Sequence, residues 1–432
     1  MKFKTGWNRR SFLGGLGVAA GSLLGAEKLR AWPRARGQEE ATLRWPNVDK
    51  ITGFGSTGDV YAELDVTPFI NGVGTMTWMG GSLIPPEVEK VMALAARQFV
   101  SIPDLEAAAG KRIAEMLKLP QGYTGLVTSG AAGAITCGYA AFLTGDNPEF
   151  IKRLPDLTGM KSEVIIQKSH RYPFDHQIRA TGVKLVEIET LDDLRQAVNP
   201  RTAAMHFTNL FNPVGQIKVD QWVKLSMQYK LPCFNDAAAD TPPISRLWEY
   251  VNMGYDMVAF SGGKDIRGPQ CAGLLLGREA MVHNALLNNS PYEDTIGRNA
   301  KVGKEEIVGM VKALEIFLQS DQKALLKEYW SRLDTVAHEV NKVPGVSTAY
   351  RWNPNQIANH TVGMEIFWDP RRVSLTSKQA SELLKNGKPS IIMGGGGRFS
   401  SNSLGLSAWM LKPGEDKIIA DRLTKILRDH AA

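Results

Sequence analysis

Cysteine is scarce in this chain, with only Cys137, Cys233 and Cys271 among 432 residues. An odd number without metal-like spacing supplies neither a disulfide framework nor a cysteine metal site. Each lies in an apolar or small-residue run, which reads as three small buried core positions. Excess charge is also missing from the body of the chain. The formal net charge is +7, but eight of the 51 basic residues and three of the 44 acidic ones fall in residues 1–40, leaving 43 against 41. Affinity for nucleic acid comes largely from neutralised phosphates, so no nucleic-acid partner is expected. Beyond the leader there is no apolar run long enough to span a membrane, and no internal repeat. What remains, 43% apolar residues, is enough to bury one large domain and a smaller one.

The basic residues of the leader are ordered. Lys2 and Lys4 precede Asn8-Arg9-Arg10-Ser11-Phe12-Leu13, and a glycine- and alanine-rich stretch then runs to about Ala26. Paired arginines followed by x-Phe-Leu form the signal of the twin-arginine pathway, which carries proteins already folded. A periplasmic or otherwise extracytoplasmic location is expected, with no span in the mature chain. Residues 1–40 are assigned to signal and linker, 41–85 to an N-terminal arm, 86–300 to a large domain, and 301–432 to a connecting helix and a small C-terminal domain.

Within the arm, Asp65–Thr77 is extended and glycine-rich. Pro85-Pro86-Glu87 opens a helix over Glu87–Phe99, since proline suits a first helical turn, and a second follows at Leu105–Leu117. Short apolar strands then alternate with helices. Strands are predicted at Thr124–Val127, Glu163–Gln167, Lys184–Glu189, Ala203–Phe207, Pro232–Asn235 and Met257–Phe260, with helices at Ala131–Leu143, from His176, and at Gln221–Tyr229. Apolar strands of this length between helices predict an α/β fold with a mainly parallel sheet covered on both faces. Ile307, Met310, Val311, Leu314 and Phe317 recur at helical spacing, predicting one long connecting helix over Lys304–Leu333. Strands at Thr361–Trp368 and Ile391–Met393 and a helix over Gly414–Arg428 make the small α+β domain.

Ligands of such sheets sit at the carboxyl ends of strands, where three features fall. Thr128-Ser129-Gly130-Ala131-Ala132 leads from a strand into a helix, whose free N–H groups favour a phosphate. Asp236, in Phe234-Asn235-Asp236-Ala237-Ala238, puts a carboxylate at the end of an apolar strand, where burial demands a cationic partner; a helix cap at Asp236 or Asp240 is the plainer reading. Lys264 follows Phe260-Ser261-Gly262-Gly263, two glycines that turn an amine into a cleft. In this order the three are the equipment of a pyridoxal phosphate site: phosphate at the 128–132 turn, pyridine nitrogen on Asp236, Schiff base on Lys264, and Ser261 beside it. His170, after a strand, suits stacking on the pyridine ring. Asn209 or Asn212 suits its phenolic oxygen, and Arg171 is a candidate for the substrate.

Phe69-Ile70-Asn71-Gly72-Val73-Gly74-Thr75, the Thr128–Ala132 turn, His170-Arg171, Asp236-Ala237-Ala238, and Phe260–Lys264 with Gly268-Pro269-Gln270 together resemble the selenocysteine synthase (L-seryl-tRNA selenium transferase) group. The likeness covers roughly residues 60–425 and is nearest to the shorter members, which include D-glucosaminate-6-phosphate ammonia-lyase. It implies the type I pyridoxal phosphate fold of the aspartate aminotransferases, with a seven-stranded sheet, the site roles just named, and a homodimer in which the Gly72–Gly81 arm approaches the neighbouring site. The tRNA-gripping N-terminal domain of the true selenium transferases has no counterpart, and an export leader stands in its place. Related enzymes clamp a substrate carboxylate with an arginine on a small-domain strand. Here that run is Leu404-Gly405-Leu406-Ser407, and Arg398 is the nearest substitute by sequence. The expected reaction is α,β-elimination on a small amino acid or amino sugar acid. Selenium-transferase-type β-replacement, transamination, racemisation and aldol cleavage share its opening steps. A ligand-binding protein with an inherited cleft is the non-enzyme alternative.

Overall fold

The computed structural model describes residues 53–395 and 401–431. The chain forms two compact units, one ending at Val66 and the other running from Thr67 onward. In the first, Ala62–Leu64 makes a single 3-10 turn, and Glu63 accepts a hydrogen bond from the Thr57 N–H at 2.9 Å. The twin-arginine pattern lies outside the described residues.

Twelve strands are described: β1 Phe69–Gly72, β2 Tyr123–Ser129, β3 Glu163–Gln167, β4 Lys184–Ile188, β5 Thr202–Thr208, β6 Cys233–Asp236, β7 Met257–Ser261, β8 Ala272–Arg278, β9 Val346–Arg351, β10 Gly363–Trp368, β11 Ser390–Met393 and β12 Ser403–Ser407. Seven of them form one sheet in the order β2-β8-β7-β6-β5-β3-β4. Every neighbouring pair from β7 to β4 is parallel, whereas β8 runs antiparallel to both β2 and β7. Strands β3, β5 and β6 are buried at every position. That burial explains why they read as continuous apolar runs rather than alternating ones. The parallel strands therefore end on one edge of the sheet, bringing Ser129, Gln167, Thr208, Asp236 and Ser261 to the same side.

A second, antiparallel sheet has the order β12-β10-β9, and a parallel pair joins β1 to β11. The arm strand β1 thus packs beside this sheet, and Ile70 is buried in a smaller core with Met364, Ile366, Leu404 and Leu406. The single connecting helix expected over Lys304–Leu333 is two helices, Lys304–Gln319 and Gln322–Val340. Asp321 separates them and caps the second, its carboxylate accepting from the Lys323 and Ala324 N–H groups at 3.0 Å each. The first helix buries Ile307, Met310, Leu314 and Phe317 in the large core, and the second buries Leu333, Val336 and Val340 in the small one. The break falls where the chain passes between cores. Among the described residues no helix is long and apolar enough to cross a membrane.

One cysteine departs from expectation. Cys137 and Cys233 are buried, and burial pushes both thiols up to about 12. Cys271 is exposed, because it belongs to the turn that reverses the chain from Lys264 into β8 rather than to the strand itself.

Candidate active site

Lys264 lies just past the carboxyl end of β7, in the turn Gly262–Ile266. Backbone bonds fix this turn: the Gly262 N–H donates to the Ala272 carbonyl at 3.0 Å, and the Gly268 N–H to the Gly262 carbonyl at 2.8 Å. Phe260, the strand residue beneath it, is 1% exposed, and its truncation would cost roughly 3–5 kcal/mol. The Lys264 side chain is largely buried. Burial lowers the pKa of its amine, and the charges of Asp236 and Asp240 oppose that shift.

Asp236 ends β6, one strand away. Its Oδ1 accepts from the Ala238 N–H at 3.0 Å, and its Oδ2 accepts from the Tyr172 hydroxyl. Burial raises its pKa, and these two donors and the Lys264 amine hold it down. Asp240, four residues on, accepts from the Tyr250 hydroxyl at 2.7 Å and from Asn209 Nδ2, and burial lifts it to about 7. Asp240 does not cap the following helix, Arg246–Met253, whose N-cap is Ser245.

The Thr128–Ala132 turn joins β2 to the 15-residue helix Gly130–Thr144. Thr128 is fully buried, and its hydroxyl donates to the Gly130 carbonyl at 2.9 Å. It therefore shapes the turn from behind, whereas Ser129, Gly130 and Ala131 are half-buried and Ala132 is exposed. Gly130 has φ +64°, and a Cβ built on it meets nothing within 4 Å, so the turn borders free space at the positive end of a helix. That space, the buried carboxylate of Asp236 and the desolvated amine of Lys264 fit pyridoxal phosphate at its phosphate, ring nitrogen and carbonyl carbon respectively.

Other expected residues sit differently. His170 is fully enclosed: its Nδ1 accepts from the Thr208 N–H at 3.2 Å, its Nε2 lies 3.1 Å from the Gln167 amide, and its ring meets Phe207 edge-on at 4.5 Å. Burial takes its pKa down to about 4, so the ring is neutral near pH 7. With 0% exposure it presents no free face for stacking, in contrast to the expectation above. The aromatic that reaches Asp236 is Tyr172, two residues later. Arg171 turns to the flank, where it pairs with Asp175 at 2.6 Å and with Glu187, which leaves no guanidinium edge for a substrate. Asn209 is buried beside Asp240, while Asn212 Oδ1 accepts from the Val219 N–H at 3.0 Å and serves the helix starting there. Ser261 is half-buried at the end of β7, its N–H donating to the Ala238 carbonyl at 3.3 Å. Arg398 lies outside the described residues.

Tyr172, Asp240 and Tyr250 were not legible as site residues. Tyr172 carried one usable signal, an aromatic in the loop that follows β3. Tyr250 sits on a helix whose amphipathic pattern reads simply as packing.

Comparison with known proteins bears on the fold and the cofactor. Residues 161–300 match the aminotransferase class-V family. The chain is 29% identical over 301 residues to the D-glucosaminate-6-phosphate ammonia lyase of Salmonella typhimurium, covering 67% of this chain and 77% of that one. It is 26% identical over 398 residues to a 5'-C-glycyluridine monooxygenase-decarboxylase of a Streptomyces species, covering 89% and 96%. An L-seryl-tRNA(Sec) selenium transferase of Mannheimia succiniciproducens is 25% identical over 286 residues, covering 59% of this chain and 56% of that one. Among solved structures, a D-glucosaminate-6-phosphate ammonia-lyase superposes with a TM-score of 0.75 at 26% identity, over 86% of this chain and 99% of that one. The chain therefore has the class-V aminotransferase fold, and it is a pyridoxal phosphate-dependent enzyme that resembles the selenocysteine synthase group and its ammonia-lyase relatives.

Proposed function

We propose that this pyridoxal phosphate enzyme catalyses α,β-elimination on a small hydroxy-amino acid or amino sugar acid, releasing ammonia and a keto acid. The observation that carries the reading is the Lys264 amine, desolvated beside the carboxylates of Asp236 and Asp240. The likeness to an ammonia lyase supports it.

The bound cofactor supplies the electron sink that accepts the pair left when the substrate's α-proton departs. Asp236 would hold the ring nitrogen and keep that sink cationic, with Tyr172 and the Ala238 N–H favouring the charged carboxylate. Ser129 to Ala132 would hold its phosphate, and Asn209, through Asp240, and Ser261 would support the ring. Lys264 Nζ, whose pKa burial lowers, takes the α-proton and delivers it to the β-hydroxyl, which leaves as water. The enclosed His170 supports the floor of the site through Thr208 and Gln167.

The test is product analysis after the holoenzyme meets a panel of amino acids and amino sugar acids. Equal yields of ammonia and keto acid are expected. Carbon dioxide release with oxygen uptake would instead favour the branch suggested by the monooxygenase-decarboxylase relative, and amino acid without ammonia would favour transamination.

The same proposal includes a homodimer and an extracytoplasmic location. The dimer is supported by exposed Met76, Trp78, Leu83, Leu94 and Phe99 along one stretch of chain, and sedimentation at a single monomer mass would remove it. Export is supported by Asn8-Arg9-Arg10-Ser11-Phe12-Leu13. Cell fractionation of an Arg9→Lys, Arg10→Lys variant tests it, with the variant expected to stay in the cytoplasm.

A further inference from the structure

The small-domain sheet has one apolar face, with Met364, Ile366, Leu404 and Leu406 in the core, and one face on which Gly363, Glu365, Ser403, Gly405 and Ser407 alternate with them. At its end, Gly363 of β10 pairs with Arg351 of β9 on one side and with Ser407 of β12 on the other. This end faces the large-domain site. Two residues beyond Ser407, Trp409 Nε1 donates to Asp265, the neighbour of Lys264. Eight residues beyond Arg351, the Asn359 N–H donates to the Ala239 carbonyl at 2.6 Å, between Asp236 and Asp240.

Arg351 does not stay on its own strand. Its Nη2 would lie 3.2 Å from a Cβ at Gly363 and 3.2 Å from a Cβ at Gly405, so the guanidinium crosses β10 and rests over a shelf that only glycines leave clear. Glu365 approaches its Nε at 3.8 Å and is itself held by the Ser403 hydroxyl at 2.7 Å. The counter-charge therefore sits at the Nε side. Among the described residues, neither Nη atom of Arg351 makes a hydrogen bond. A guanidinium edge with two parallel N–H donors, held open at the end of a sheet that abuts the Lys264 turn, is suited to a carboxylate.

We infer that Arg351, seated over Gly363 and Gly405, binds the carboxylate of the amino substrate and makes the enzyme prefer amino acids to simple amines. This rests on the pyridoxal phosphate reading of Lys264. It also accounts for the lack of an arginine in Leu404–Ser407, because the cation reaches the end of β12 from β9. Lysine cannot present two parallel donors, so Arg351→Lys retains part of the preference and Arg351→Ala none.

The experiment titrates the cofactor absorbance of holoenzyme with two matched pairs, serine against ethanolamine and glucosaminate against its reduced alcohol, glucosaminitol. A third pair, glucosamine 6-phosphate against glucosamine, reports on phosphate instead. In the wild type the carboxylate member is expected to bind about a hundredfold more tightly in at least one of the first two pairs. Arg351→Ala should abolish that ratio while keeping the cofactor band. Gly363→Ala, which leaves Arg351 in place but crowds its Nη2, should reduce the ratio as well. The inference is overturned if the wild type shows no carboxylate preference, if Arg351→Ala keeps it, or if the loss falls on the phosphate pair. Absence of any cofactor band in the wild type would instead sink the reading of Lys264.

Discussion

The Tyr172 hydroxyl donates to Asp236 Oδ2 across the site, while the backbone of Ala238 holds the other carboxylate oxygen. Burial alone would leave Asp236 a poor anion. On the proposed pairing of Asp236 with a cationic pyridine the ionised form is needed, so cofactor affinity should fall as pH drops through the raised pKa of this carboxyl. Removing one donor raises that pKa further. Tyr172→Phe is therefore expected to lose affinity for pyridoxal phosphate from a higher pH downward than the wild type, seen by titrating apoenzyme with cofactor at several pH values. A midpoint that stays put or moves lower would show that Tyr172 does not support the charge.

Gly130 and Gly273 meet behind the Thr128–Ala132 turn, and the two glycines are needed for different reasons. A Cβ on Gly273 would lie 2.2 Å from the Gly130 carbonyl carbon, a backbone clash that only displacement of the turn relieves. A Cβ on Gly130 touches nothing, and its cost is the left-handed φ of +64°, roughly 1–2 kcal/mol. Gly273→Ala is expected to lower thermal stability by more than Gly130→Ala and to weaken cofactor binding at least tenfold. Comparable losses in the two variants would mean that close packing is not what fixes the turn.

The sequence was most legible where local pattern and tertiary role coincide. Strands buried on both faces leave unbroken apolar runs, so β3 and β5 to β7 could be placed, and their ends located Asp236 and Lys264. Pairing direction leaves no such trace, and β8 went unseen because Ala272–Arg278 follows a turn with no helix between. Periodicity from Lys304 onward continued through Asp321, hiding a cap that only the change of core explains. Site residues that act across the sheet were harder still. His170 looked available because its loop follows a strand end, yet Phe207, Gln167 and Thr208 enclose it. Arg351 is an ordinary strand arginine until Gly363 and Gly405 are seen beneath it.

Asp240 and Lys264 are coupled by charge. Asp240 titrates near 7, and its carboxylate raises the Lys264 amine pKa that burial lowers. Schiff-base formation with the cofactor requires a neutral amine. In Asp240→Asn the opposing charge is gone, so the Lys264 amine should deprotonate at lower pH. The rate of cofactor uptake by apoenzyme, followed by absorbance, is expected to reach its plateau at a lower pH than in the wild type. A profile that is unchanged or displaced upward would rule out this coupling.

Glu106 offers a test of the fold at β2, the strand that leads into the Thr128–Ala132 turn. It lies on the helix Ile102–Leu117, beside a groove of about 770 Å³ lined also by Lys111, Tyr123 and His283 at the amino end of β2, the opposite edge of the sheet from Lys264. Strand β2 is an edge strand, and the outward N–H of Val127 needs an acceptor, which Glu106 Oε2 supplies at 3.2 Å. Burial raises this carboxyl from 4.5 to about 8, so in the folded protein it stays protonated near neutrality. A carboxyl whose folded pKa is raised contributes stability that is complete below its unfolded pKa and lost as pH rises through the folded one. The wild type should therefore lose stability between about pH 4.5 and 8 from this group, by at most about 1.4 kcal/mol per pH unit. Glu106→Gln keeps an acceptor for Val127 and removes the titration, so its melting temperature should fall less across this range and exceed the wild type's at pH 8. Glu106→Leu leaves the buried N–H unpaired, at a cost of about 1–3 kcal/mol, and should be less stable than Glu106→Gln at every pH. Parallel pH profiles for the wild type and Glu106→Gln would show that Glu106 ionises normally, and that the edge of β2 is closed by a carboxylate rather than by a neutral acid.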